Sequence, residues 1–191
     1  GALAGKGLSG ALDLAKEAVA GLSSLLMAGG RIAVSSAADY EVANVQFGVM
    51  AGNAERGTQL LDDMQKLAVA TPFKSEDLTK GAQMLMGMGI GIEDILPTMK
   101  ALGDLAAGDG EKLKRLALAY GQVQAKGRLQ GDELRQFTEA GVGVADFAKA
   151  AGMSMGEFRA KMEQGAIGAD IATKALNQLT GEGGRFAGMN A

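Results

Sequence analysis

Carboxylates are the only plentiful groups in this sequence that could act as general acids or bases, because it contains no cysteine and no histidine. That absence excludes disulfides, thiolate metal sites and the side chain most often used for proton transfer and metal ligation. A glycosidase would need two carboxyls held a fixed distance apart in a cleft. Glu55, Asp62, Asp63, Glu111, Asp132, Glu133 and Glu139 instead fall at expected helix starts or on polar helix faces, where carboxylates serve solubility and complement the helix dipole. No catalytic, cofactor-binding or metal-binding residue is assigned on this reading, and the chain is expected not to be an enzyme.

Other chemistry-bearing patterns are equally thin. The run AGDGE supplies only Asp109 and Glu111 as carboxylate ligands and does not follow the calcium-loop pattern. Glycines in GALAGKGLSG and MGMGIG do not follow a strand in the way that cradles phosphate, so they read as loop and cap glycines. The segment VADFAKAAGMSMGEFRAKMEQG resembles a helix-turn-helix, with Ala148 and Gly152 at the small positions and Phe158 at the later apolar one. Its second helix sets Glu157 and Glu163 beside Arg159 and Lys161, which leaves little net positive charge for phosphates, and a helix hairpin within a larger domain is preferred. Lys112, Lys114, Arg115, Lys126 and Arg128 form a cationic cluster, read either as a nucleic-acid or acidic-partner contact or as a solvated helix face.

The chain as a whole lacks a basic field. Nineteen Lys and Arg against 22 Asp and Glu give a formal charge of −3, which disfavours a dedicated DNA-binding domain. The longest uncharged runs, Ala18 to Gly30, Val42 to Ala54 and Gly81 to Ile92, are shorter than the ~20 apolar residues of a membrane span. No signal peptide is expected, since Asp13, Lys16 and Glu17 interrupt the early apolar stretch. Because it opens on Gly1 without an initiator Met, the sequence is read as a fragment.

The elements expected to position these residues are helices. Only Pro72 and Pro97 interrupt the chain, while Ala, Leu, Met, Gln, Glu and Lys fill the intervals between 30 glycines that look like helix stops. The best strand signal is the alternation of Val45, Phe47 and Val49, although an apolar helix continuing from Ser36 fits as well and is preferred. Leu8, Leu12, Ala15, Val19, Leu22 and Leu26 are spaced 4, 3, 4, 3 and 4 residues apart, the heptad seam of a coiled coil. A single amphipathic helix docked on its own domain fits that spacing equally. Ser75 is expected to cap a helix running to Met86, Pro97 to lie in the first turn of a helix from Leu96 to Leu105, and Gly127 to stop one from Lys112 to Lys126. The result is an all-α chain with an N-terminal amphipathic helical segment, residues 1–35, followed by a compact multi-helix domain of short glycine-punctuated helices, residues 36–191. Six to nine helices are expected.

Several blocks occur in a distinctive order: Thr71-Pro72-Phe73, then Pro97 with Leu102-Gly103-Asp104, then Gly121-Gln122-Val123-Gln124-Ala125-Lys126-Gly127. Leu134-Arg135-Gln136, Glu139-Ala140-Gly141 and Gly184-Arg185-Phe186 follow. With the intervening text they resemble the tape measure domain of tailed-phage and prophage proteins over most of residues 36 to 190. That resemblance implies a long, mostly helical virion protein in the lumen of the phage tail. The tail tube protein polymerises around it, so that its extent sets tail length. It further implies contacts with tail tip and baseplate proteins and assembly chaperones, residence in the host cytoplasm during assembly, and help with DNA ejection through transient contact with host membrane and phage DNA. A fully helical ruler would add about 1.5 Å per residue. Members of the family run far longer than this chain, so the block read here suggests an anchoring or assembly module, with self-association through Leu8, Leu12, Val19, Leu22 and Leu26 as an expectation. The apolar run from Gly81 to Ile92 motivates an alternative, a membrane-active or DNA-passage module, and peptidoglycan hydrolysis would need a site that is not seen.

Overall fold

The computed structural model describes residues 31–190, and the Leu8 to Leu26 seam lies outside them. Among the described residues there are nine helices and no strand: α1 Arg31–Met50, α2 Ala54–Ala70, α3 Ser75–Gly87, α4 Ile92–Ala106, α5 Gly110–Lys126, α6 Gly131–Glu139, α7 Val144–Ala150, α8 Met155–Glu163 and α9 Ala169–Thr180. A lone antiparallel bridge joins Arg128 to Gly168. The all-α expectation holds. Packing divides the chain into Gly1–Ala43 and Asn44–Ala191, and the second unit is described below.

The alternation of Val45, Phe47 and Val49 belongs to a helix. Residues two apart on a helix are about 200° apart, so burying Phe47 completely leaves Val45 and Val49 exposed without any pleat. The end of α1 approaches the start of α2 closely enough that a Cβ on Gly57 would overlap the backbone of Phe47 and Gly48. Glycine is required there by the neighbouring backbone, since the position lies inside an ordinary helix. Asn53 caps α2 by accepting from the Arg56 amide at 3.0 Å, and α2 ends where Thr71 turns extended before Pro72, as the proline ring demands of the residue preceding it.

The centre of the unit is α5, which packs on α3, α4, α6 and α9. Leu78 and Leu85 of α3, Ile95, Met99 and Leu102 of α4, and Leu113 and Val123 of α5 are fully buried between these helices. Each such side chain contributes about 1.5–3 kcal/mol by leaving water. Helix α7 packs mainly on α9, whereas α8 packs chiefly on α7. Phe137 and Phe147 join α6 to α7 in an edge-to-face pair with centroids 5.4 Å apart.

Two expected helix starts are displaced. Ser75 is the first residue of α3 and not its cap: the cap is Lys74, which makes no side-chain capping bond and whose carbonyl accepts from Asp77 and Leu78 at 3.0 and 3.2 Å. Helix α4 begins at Ile92, so Pro97 lies inside it. Pro97, having no N–H, forfeits the hydrogen bond to the Glu93 carbonyl, at an exposed position of the helix. The buried residues that follow, from Thr98 to Ala106, hold the helix together across the lesion. Gly127, at φ 68°, ends α5 as expected.

Candidate interaction surface

The candidate carboxylates do not converge. Among the described residues no group of three or more potential ligands could hold a metal ion. Asp109 caps α5 by accepting from the Lys112 amide at 3.0 Å, a backbone hydrogen bond that holds its carboxyl below the usual range, and Glu111 pairs with Lys114 at 2.8 Å. Both acids of AGDGE therefore have structural partners. Glu139 pairs with Arg135 at 2.5 Å along α6. Glu133 departs from the expectation of a polar helix face: it lies in the first turn of α6 but is 1% exposed. One of its oxygens meets Lys126 Nζ at 2.5 Å, and the other, Oε2, is buried without a hydrogen-bond partner. A half-satisfied buried carboxylate makes the Lys126 pairing structurally consequential.

The cationic cluster is partly consumed inside the molecule. Lys114 bridges Glu111 and Asp77 at 2.8 and 2.9 Å, and those hydrogen bonds, Glu111 first, raise its pKa well above the ordinary lysine value. Lys126 is committed to Glu133. The helix-turn-helix-like segment forms α7 and α8, with Ser154 and Glu157 making a reciprocal capping box at the start of α8. Glu157 is held below its ordinary range by the Ser154 side chain first and the Ser154 backbone second. Arg159 and Lys161 remain beside Glu157 and Glu163 on an exposed helix that offers no net positive face. The spacing Ser154, Glu157 is itself a capping-box signal that a sequence reading can use.

Several of the ordered blocks do converge, and what they build is a set of joints. Gly103 of α4 receives both Phe73 and Asn190: a Cβ there would overlap the Asn190 amide and come within 3.2 Å of Phe73 Cε2. Next to it Asp104, 9% exposed, accepts from the backbone amides of Gly188 and Asn190 at 3.2 Å each, and Asn190 Nδ2 donates to the Lys100 carbonyl at 3.2 Å. Arg185 donates to the Gly141 carbonyl at 3.0 Å and to Asp146 at 2.9 Å, and lies 4.7 Å from the centre of the Phe186 ring. Gln124 donates to the Ala169 carbonyl and to Thr173, tying α5 to α9. Residues 181–190 thus form a strap fastened to α4 and to the α6–α7 turn through residues 39 to 90 positions away.

Two recesses open on either side of Pro97. A groove of about 400 Å³ between α2 and α4 is lined by Glu55, Arg56, Asp63, Ile92, Glu93 and Leu96 among others. A cleft of about 430 Å³ lies under the Met88 to Gly91 loop against Tyr120, Gln124 and Thr173, where the Tyr120 hydroxyl and Thr173 Oγ1 are 2.9 Å apart.

A match to the family described as Tape measure protein spans residues 31–191, the region that contains every one of these joints. The chain belongs to the tape measure protein family. It is 29% identical over 143 residues to the probable tape measure protein of Lactococcus phage p2, covering 70% of this chain and 14% of that protein. It is also 29% identical over 137 residues to the tape measure protein of Lactococcus phage F4-1, covering 66% of this chain and 37% of that protein. The chain thus spans well under half the length of the curated relatives it matches. No solved structure matches it. Within the tape measure block, Asp104 and Asn190 are not legible as a pair in the sequence, because nothing local connects residues 86 positions apart.

Proposed function

We propose that this protein is a structural component of a phage tail that sets tail length and scaffolds tube assembly inside the tube lumen, and that the block described here is its folded anchoring module. One observation carries the reading. Several of the ordered blocks, among them Gly103-Asp104, Gly141 and Arg185, are spent on joints that fasten a C-terminal strap to a helical body, which supports a folded module rather than an extended ruler. The tail tube protein, tip or baseplate proteins and assembly chaperones are the partners on this reading, with residence in the virion tail after assembly in the host cytoplasm. Self-association through Leu8, Leu12, Val19, Leu22 and Leu26 would bring copies together, and a strict monomer in sedimentation at high concentration removes that element. DNA ejection remains a role for the whole protein.

Length setting is tested in the intact gene. In-frame deletions in the extended part of the protein should shorten tails by about 1.5 Å per residue removed, and tails of unchanged length in electron micrographs would refute the proposal. Of the apolar run that motivates the membrane-active alternative, Gly81, Ala82 and Leu85 are core residues of α3 while Met84, Met86, Met88, Ile90 and Ile92 are half-buried, and no described helix is long and apolar enough to cross a membrane.

A further inference from the structure

The groove between α2 and α4 differs in character from the rest of the surface. Its floor is apolar and incompletely covered: Ile92 and Leu96 are half-buried and Pro97 is exposed. Its rim is acidic, with Glu55, Asp63 and Glu93 set against a single cation, Arg56. Arg56 is already paired with Glu93 across the groove, both side chains being mostly exposed, and Asp63 is paired with Lys66. Asp94, exposed on the next position of α4, carries the acidic character past Pro97 to the adjoining cleft.

The helix dipole does not cancel this field. The N-terminus of α4 contributes about half a positive charge, whereas Glu93 and Asp94 in its first turn bring two full negative ones. Phosphates are therefore repelled, and a cationic side chain is attracted. A solvent-exposed ion pair such as Arg56 with Glu93 is weak, so an incoming cation can take over Glu93. An apolar floor between acidic rims is the complement of one secondary structure in particular: a helix with apolar residues at i, i+3 or i+4 and i+7, flanked by Lys or Arg.

We infer that this groove is the docking site for a basic amphipathic helix of a partner protein. The apolar residues of that helix lie on Ile92, Leu96 and Pro97, and its cations pair with Glu55 and Glu93. The inference does not depend on the length-setting role, because it concerns a surface of the isolated chain.

The test uses the 191-residue chain and two synthetic peptides of ~18 residues, long enough for five helical turns, with Leu at helical spacing and either Lys or Glu at the remaining positions. Backbone amide shifts should move at residues 55–63 and 91–96 on titration with the Leu/Lys peptide, which should bind at least about tenfold more tightly than the Leu/Glu peptide. The double reversal Glu55→Lys, Glu93→Lys should weaken binding by about tenfold or more. Reversing two exposed acids elsewhere, Asp132→Lys and Glu139→Lys, changes net charge equally and should alter it less than about twofold. Leu96→Asp should also weaken binding, and the reversals, all at exposed positions, keep the test intact if that variant folds poorly. Shifts scattered over the whole acidic surface, equal loss with the control pair, or equal binding of the Leu/Glu peptide would overturn the inference. So would self-association that Leu96→Asp abolishes, which would make a second copy the occupant.

Discussion

The central helices and the C-terminal strap are held by different forces. Between α3, α4 and α5, Leu85, Met99, Leu102 and Leu113 are sealed from water, and the energy is spread over many apolar contacts. Residues 181–190 instead contribute few buried apolar groups and hang on a handful of polar anchors: Asp104 to two amides, Asn190 to Lys100, and Arg185 to Gly141 and Asp146. Apolar packing yields as one cooperative unit. Discrete hydrogen bonds can be lost locally, so the strap is the part of the module that opens first.

The contrast can be broken most forcefully in the core. Leu113→Ala removes a fully buried side chain and should cost about 2–5 kcal/mol in urea denaturation, with α3, α4 and α5 unfolding in one step. A loss under about 1 kcal/mol would mean that α5 is not the centre of the cooperative unit.

Asp104→Ala should act on the other side of the comparison. It strips a buried amide, that of Asn190, and a part-buried one, that of Gly188, of their acceptor, a local penalty of about 1–3 kcal/mol. In hydrogen exchange the Gly188 and Asn190 amides should lose protection while those of α3 and α5 retain theirs. Equal loss in both regions would show the strap to be part of the core. Arg185→Ala should do less, about 0–1 kcal/mol, because Arg185 is 55% exposed and Asp146 keeps its bond from the Gly143 amide at 2.8 Å.

The smallest effect is one of pH, at α8. Glu157 has a folded pKa below its unfolded value of 4.5 because Ser154 donates to its carboxylate. Its contribution is therefore complete above pH 4.5 and is lost as pH falls through the lower, folded value. Relative to the intrinsic exchange rate at each pH, protection at the start of α8 should fall as pH drops below 4.5, and Glu157→Gln should flatten that dependence. Protection of the Leu85 and Leu113 amides, on the same scale, should not change over that interval.

Much of the fold was legible because its signals are local. Thr71 before Pro72 and Gly127 after Lys126 end their helices through steric rules that act on neighbouring residues. Where two local rules competed, legibility failed. Ser75 is a good capping type, yet the cap of α3 is the extended Lys74 one residue earlier, and the proline signal places Pro97 in the first turn of a helix from Leu96 when that helix begins at Ile92. The ordered blocks are visible in the sequence as a pattern, but their purpose is not, since nothing local to Gly103 shows that Phe73 and Asn190 pack against it.

The sequence by itself determined that the chain is helical, that cysteine and histidine chemistry is closed to it, and that its blocks are those of a tape measure protein, since composition, helix propensity and block order need no third dimension. The tertiary structure alone decided which polar groups are buried. Glu133 and Asp132 are adjacent acids in the first turn of one helix, yet one is sealed against Lys126 and the other faces water. Asp104 became an anchor only when residues 84 and 86 positions further along folded onto it. Burial depends on what packs above a residue, and that partner is set by the path of the whole chain rather than by the residue's neighbours.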